Sequence, residues 1–222
     1  MKKLLFILSV TVMAFATTNF AHADIIYNTF GTGDPSFHTN WGWTLGTVGP
    51  DYEISMGNAF TPTQNYQLTS VEAALTYFSG TNSMNLVLMN STGTGQPASV
   101  LETFSLTNLA NAWQNNNYVL TASSTPGIDL LKGNQYWLFA EPTDPTTFAM
   151  WNMSLSSKGS IIDNDYASDY NVVQPNNLQG AFQIDGTLLS SANDRISAVP
   201  EPVSLFLFTT GLAGVFLRKR RA

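Results

Sequence analysis

Residues 135–141 read QYWLFAE, an almost unbroken apolar run of strand length. Turn-forming residues bound it on both sides, KGN (132–134) before it and PTDPTT (142–147) after it. An alternating strand hides one face, whereas a continuous apolar run of this length needs cover on both. The stretch therefore predicts a strand covered on both sides.

The same punctuation continues outward in both directions. In TSVEAALTY (69–77), Val71, Ala73, Leu75 and Tyr77 alternate with Glu72, Ala74 and Thr76, the pattern of one half-buried strand. MNLVLMN (84–90) sets Met84, Leu86 and Leu88 on one face, and AFQIDGT (181–187) does the same with Phe182 and Ile184. VLETFSL (100–106), NYVLTA (117–122) and FAMWNM (148–153) are further strands, with STGTGQP and SSTPG as turns between them. No long helical period and no internal repeat accompany them, although one short helix or bulge fits TNLANAWQNNN (107–117). The expected class is all-β, an antiparallel β-sandwich or jelly roll over 24–190.

Both ends of the chain read as processing signals. Lys2 and Lys3 precede an apolar stretch from Leu4 to Phe15, and TTNFAHA then offers Ala21 and Ala23 in the small-x-small order that signal peptidase accepts. Residues 1–23 are thus expected to be a helical signal peptide, with Asp24 the first mature residue. A retained anchor is the alternative, opposed by an apolar run shorter than the roughly 20 residues of a span. Beyond 190, ANDRIS lies in a polar linker, 191–198. The chain closes with Val199, Pro200, Glu201 and Pro202, an apolar helical run over 203–217, and Arg218, Lys219, Arg220 and Arg221.

This three-part order resembles the PEP-CTERM sorting signal of Gram-negative bacteria. The basic block resists translocation, leaving Leu217 inside and the body across the inner membrane. The run of about 15 residues spans roughly 22 Å as a helix against roughly 30 Å of hydrocarbon, short for a permanent anchor. Gly211 and Gly214 give it a small-residue face that another helix can approach. Pro200 and Pro202 hold Glu201 in extended backbone that a processing enzyme can grip. The resemblance implies that an exosortase recognises Pro200, Glu201 and Pro202, cuts near them and passes the body to the cell surface or matrix. Exopolysaccharide and biofilm formation are the settings it implies.

The body has a likeness of its own. NAFTPTQNYQLTSVEAAL, GQPASVLETF, GIDLLKGNQYWLFAE and FQIDGT together resemble the choice-of-anchor domain of type R, over roughly 25–188. That family implies a β-sandwich with a surface address and no agreed chemistry.

Charge narrows the partners. Between Asp24 and Ala198 only Lys132, Lys158 and Arg195 oppose fourteen acidic residues, so the body carries about −11. Such a surface repels nucleic acid and anionic lipid and leaves neutral glycans, cations and basic polymers as compatible partners.

The residue inventory removes much catalysis. The chain has no cysteine, and the mature part keeps one histidine, His38, which excludes cysteine nucleophiles and histidine-cluster metal sites. No nucleophile-elbow pattern accompanies His38. The expected function is a non-catalytic surface protein. A glycan hydrolase using two carboxylates is the alternative, although Glu72 and Glu102 fall on outward strand positions. Ice binding is a third reading, weakened because TPT, TGT and PTT occur at irregular spacing. Matches to the N-x-S/T pattern at Asn90 and Asn152 carry little weight.

Two ligand-binding features remain. Among five tryptophans, Trp41, Trp43 and Trp151 are the expected glycan-facing rings, whereas Trp137 within YWLFA reads as core. In DNDYASD (163–169), Asp163, Asp165 and Asp169 offer hard oxygen ligands for calcium, without the spacing or glycine of an EF-hand. A calcium site there predicts that calcium raises the melting temperature of the wild type and not of Asp165→Ala. Identical melting of the two proteins, with and without calcium, removes it.

Overall fold

The computed structural model describes residues 23–33, 35–47, 53–112, 118–125, 127–165 and 173–189. QYWLFAE forms β11 (Tyr136–Pro142), where five successive residues from Tyr136 to Ala140 are buried. Tyr136, Leu138 and Ala140 enter the main core, while Trp137 and Phe139 pack with Ala59, Val87, Met89 and Ile162 on the opposite face. Antiparallel neighbours flank it, β3 (Glu53–Phe60) on one edge and β6 (Ser83–Ser91) on the other. Gly57 of β3 makes room for this packing, since a Cβ there would lie 2.5 Å from the Phe139 ring.

β11 belongs to a nine-stranded sheet. Its order is β7 (Pro97–Thr107), β6, β11, β3, β2 (Phe37–Thr47), β12 (Phe148–Asp165), β5 (Leu75–Ser79) and β8 (Ala110–Asn111), with β13 (Gln174–Gly180) also paired to β12. The second sheet has five strands: β1 (Asp24–Asn28), β14 (Phe182–Leu188) and β4 (Tyr66–Ala73), then β9 (Leu120–Ser123) and β10 (Asp129–Leu130), both paired to β4. Among the described residues every pairing is antiparallel except the short β5–β8 contact. Side chains of both sheets meet in one core, with Leu68, Val71, Phe182 and Ile184 from the smaller and Leu45, Leu75, Leu86 and Leu138 from the larger. The all-β expectation holds among the described residues; the two terminal helices fall outside them.

The larger sheet curls. β12 pairs with both β2 and β3, and these two pair with each other, so hydrogen bonding runs in a ring. The polar stretch SLSSKGS makes the bend: Met153 and Lys158 face Gly180 and Leu178 of β13, five residues of advance against two. This is an enlarged β-bulge, the device by which strands turn corners. Ser154 braces it, its Oγ donating to Thr29 O at 2.6 Å and accepting from the amides of Ser156 and Ser157.

TSVEAALTY departs from the single-strand expectation. It divides at Ala74 into the end of β4, in the smaller sheet, and the start of β5, in the larger. Val71, Ala73 and Leu75 keep the inward alternation, but Ala74 and Thr76 are buried too, because the chain passes between layers there. Ala181 marks a second crossing, between β13 and β14. At the seam three backbone bonds close a cycle: Ala74 N donates to Ala181 O at 3.0 Å, Ala181 N to Asn152 O at 2.7 Å, and Asn152 N to Ala74 O at 3.0 Å. The Asn152 side chain extends it, with Nδ2 donating to His38 O at 2.8 Å and Oδ1 accepting from Thr76 Oγ1 at 2.7 Å.

Asn152→Ala should therefore cost about 3 kcal/mol, since it strands several buried partners at once. For a domain of this size that lowers the melting temperature by about 6–12 °C. Asn90→Ala, which removes one bond from Ser99 N, is expected to cost about 1 kcal/mol. Equal losses for the two variants in urea titrations would show that the seam is not special.

Candidate functional site

A polar cleft of about 530 Å³ lies where two turns meet over the start of β11. One wall is the β6–β7 turn, with Asn90, Ser91, Thr92, Gly93 and Gly95; the other is the β10–β11 turn, with Gly133, Asn134 and Gln135. Leu101, Asp129 and Tyr136 complete the lining. Gly95 and Gly133 take left-handed φ values of 84° and 78°, which lets each turn close tightly.

Both walls are held from beneath by neighbouring residues of β11. Trp137 Nε1 donates to Gly95 O at 3.2 Å, and Tyr136 Oη accepts from Leu131 N at 2.8 Å. Because successive strand residues point to opposite faces, one buried aromatic secures each wall. Thr92 stiffens the first turn by accepting Gln96 N on Oγ1 at 3.1 Å, and Asn65 Oδ1 steadies the second by accepting Lys132 N at 2.8 Å. A smaller cleft of about 280 Å³, lined by Tyr27, Ala59, Phe60, Thr61, Gln135 and Ser160, lies on the other side of Gln135.

The expected tryptophans are elsewhere. Trp151 is 0 % exposed, donates from Nε1 to Ala181 O at 3.1 Å and meets Phe182 edge-on at 5.9 Å, so it is a core residue rather than a glycan platform. Its position in β12, under the layer crossing at Ala181, is what buries it. Trp43 lies opposite Trp151 across the β2–β12 pairing, half-buried, with Nε1 donating to Leu178 O at 2.9 Å. Trp41 is 63 % exposed and stands edge-on to His38, ring centroids 5.8 Å apart. The three rings do not form one surface, and none lines either cleft.

The acidic candidates also separate. Asp163 is on β12, half-buried and opposite Met56. Asp165 ends the same strand, its side chain outside the described residues, as is Asp169 altogether. Among the described residues no three potential ligands come together to hold a metal ion. Glu102 has a structural role, since its carboxylate accepts from Ser124 Oγ at 2.5 Å and Thr125 N at 2.6 Å, tying β7 of the larger sheet to the chain leaving β9 of the smaller. Asn152, being buried and fully engaged, presents no acceptor for glycosylation.

Two carboxylates are held above their ordinary value. For Glu72 the main cause is burial, then the charge of Asp185, with a Thr121 hydrogen bond pulling the other way. Across the β4–β14 pairing Glu72 faces Gln183 and Asp185 faces Ser70, so the two acids lie two rungs apart on one face of the smaller sheet. For Glu141 burial again leads, followed by the charge of Glu53. Neither pair lines the two clefts.

The sequence marks STGTGQP and KGN as turns without pairing them. The cleft exists because β6 and β11 are adjacent, which no local pattern states. Of the sorting residues, Val199 to Pro202 and Arg218 to Arg221 lie outside the described residues, as does Ala21, while Ala23 is exposed just before β1. Among the described residues no helix is long and apolar enough to cross a membrane.

Comparison with known families matches residues 198–221 to the PEP-CTERM protein-sorting motif. The motif implies export, transit through a membrane-sorting step and processing by an exosortase. No curated protein matches the chain.

Glu141 and Glu72 supply a pH test. A carboxyl raised above its ordinary 4.5 in the fold favours its neutral form, so its contribution is intact below that value and lost as pH rises through the raised one. Glu141→Gln and Glu72→Gln should each melt higher than wild type at pH 7, with the gain gone below about pH 4. A lower melting temperature at pH 7 would mean that the carboxylate is held in place by a stabilising contact.

Proposed function

We propose that the chain is a non-catalytic protein of the bacterial surface or exopolysaccharide matrix, delivered by an exosortase and retained there by contact with glycan. The observation that carries this reading is the match of residues 198–221 to the sorting motif, with Pro200-Glu201-Pro202 ahead of an apolar run and a basic stop. Signal peptidase removes residues 1–23, the tail holds the body at the inner membrane, and the exosortase cuts near Pro200 to Pro202. In this reading the body is a choice-of-anchor type R-like domain that ends on the outer membrane or in the matrix.

Several features of the body support a passive role. A body charge of about −11 disfavours nucleic acid and anionic lipid. A glycosidase needs two carboxyl groups facing each other across a substrate cleft, and among the described residues the larger cleft has only Asp129. Glu72 with Asp185, and Glu141 with Glu53, gain no access to it.

The test replaces Pro200, Glu201 and Pro202 together by alanine in the native host. Wild-type protein should reach the surface or medium with a mass lacking most of the tail, while the variant stays in the inner membrane at the larger mass. The same mass and location for both would overturn the sorting mechanism.

A further inference from the structure

We propose that the cleft between the β6–β7 and β10–β11 turns, continued past Gln135 into the smaller cleft, is a groove that binds an extended strand of uncharged polysaccharide. The inference rests on the glycan-retention reading above and moves its site away from the tryptophans.

Size and continuity come first. About 530 Å³ is within the roughly 300–1,000 Å³ of small-molecule sites, enough for a short oligosaccharide. Gln135 borders both clefts, so a linear ligand lying across it occupies both.

The lining chemistry selects the ligand. Asn134, Gln135 and Asp129 make no side-chain hydrogen bond within the described residues, and Asn90 uses only its Oδ1, leaving its amide N–H groups unused. Amides that both donate and accept, beside one carboxylate acceptor, match neighbouring hydroxyl groups, each of which is donor and acceptor at once. Among the described residues no lysine, arginine or histidine lines either cleft, and the body charge of about −11 repels uronate, sulfate or phosphate polymers. At the far end the half-buried Tyr27 adds a ring to the wall. The turns are fixed before any ligand arrives, by Trp137 and Tyr136 beneath and by Thr92 and Asn65 within, so little ordering cost opposes binding.

The test uses the full-length chain solubilised in detergent, so that failed sorting does not silence it. The probes are oligosaccharides from the extracellular polysaccharide of the native host, split by anion exchange into neutral and acidic fractions. Calorimetric titration should show saturable binding of the neutral fraction. Gln135→Ala should weaken it tenfold or more at unchanged melting temperature, and Trp41→Ala should leave it as in wild type. Gly93→Leu provides a second probe, because a Cβ there meets nothing within 4 Å and the new side chain obstructs the mouth without disturbing the turn. Its binding should also fall tenfold or more.

Binding of the acidic fraction alone, binding of neither, or neutral binding lost in Trp41→Ala and kept in Gln135→Ala and Gly93→Leu would each overturn the groove. A protein that binds the neutral fraction yet keeps its tail in the host retains the groove and loses the sorting mechanism. The reverse pair of results does the opposite.

Discussion

The architecture depends on a cycle of three backbone hydrogen bonds among Ala74, Asn152 and Ala181. Ala74 and Ala181 are the points where the chain leaves one sheet for the other, and a backbone changing layers forfeits the ladder partners on either side. Buried amides without partners are costly, so the two crossings and β12 satisfy one another. Small side chains are needed for three backbones to come this close, and Ala74 and Ala181 are both fully buried with Phe37 against them. Asn152 then links the cycle to β2 and β5 through its amide, which brings Trp151 under the seam and fixes the larger sheet relative to the smaller.

Much of the fold was legible because its strands carry their own pattern. Met84, Leu86 and Leu88 are buried on one face as their spacing requires, as are Phe182 and Ile184, and QYWLFAE is covered on both sides. What escaped was encoded in contacts rather than in periods. EISMGNAF contains a glycine and an asparagine and reads as no strand, yet Gly57 accommodates Phe139 and Asn58 Oδ1 accepts Gly180 N at 2.9 Å. QPNNLQG looks like loop and forms β13, whose Gln179 donates to Ala59 O at 2.8 Å. SLSSKGS looks like a turn and is the bulge of one long strand. Polar residues serve as interior fasteners in these segments, and a hydrophobicity reading discounts them.

The candidate sites divided similarly. The sorting tail is linear, three consecutive chemical types in a fixed order, so a reading along the chain suffices. The cleft is assembled from turns some forty residues apart in sequence, brought together by the β6–β11 pairing. Tryptophan content was a poor guide, because a ring is as useful inside a sandwich as on it. Trp151 and Trp137 both spend their indole N–H on a backbone carbonyl, the mark of a buried ring with a structural duty.

Glu102 has a bearing on how copies of the chain behave when packed together. Among the described residues β7 ends the larger sheet and pairs on one side only, with β6. An outer strand of eleven residues is a template for cross-chain pairing and, from there, for fibrils. By holding Ser124 Oγ and Thr125 N, the Glu102 carboxylate ties this outer strand to the chain leaving β9 of the smaller sheet. That tie restrains the outer strand from peeling away and offering its backbone to another copy of the chain.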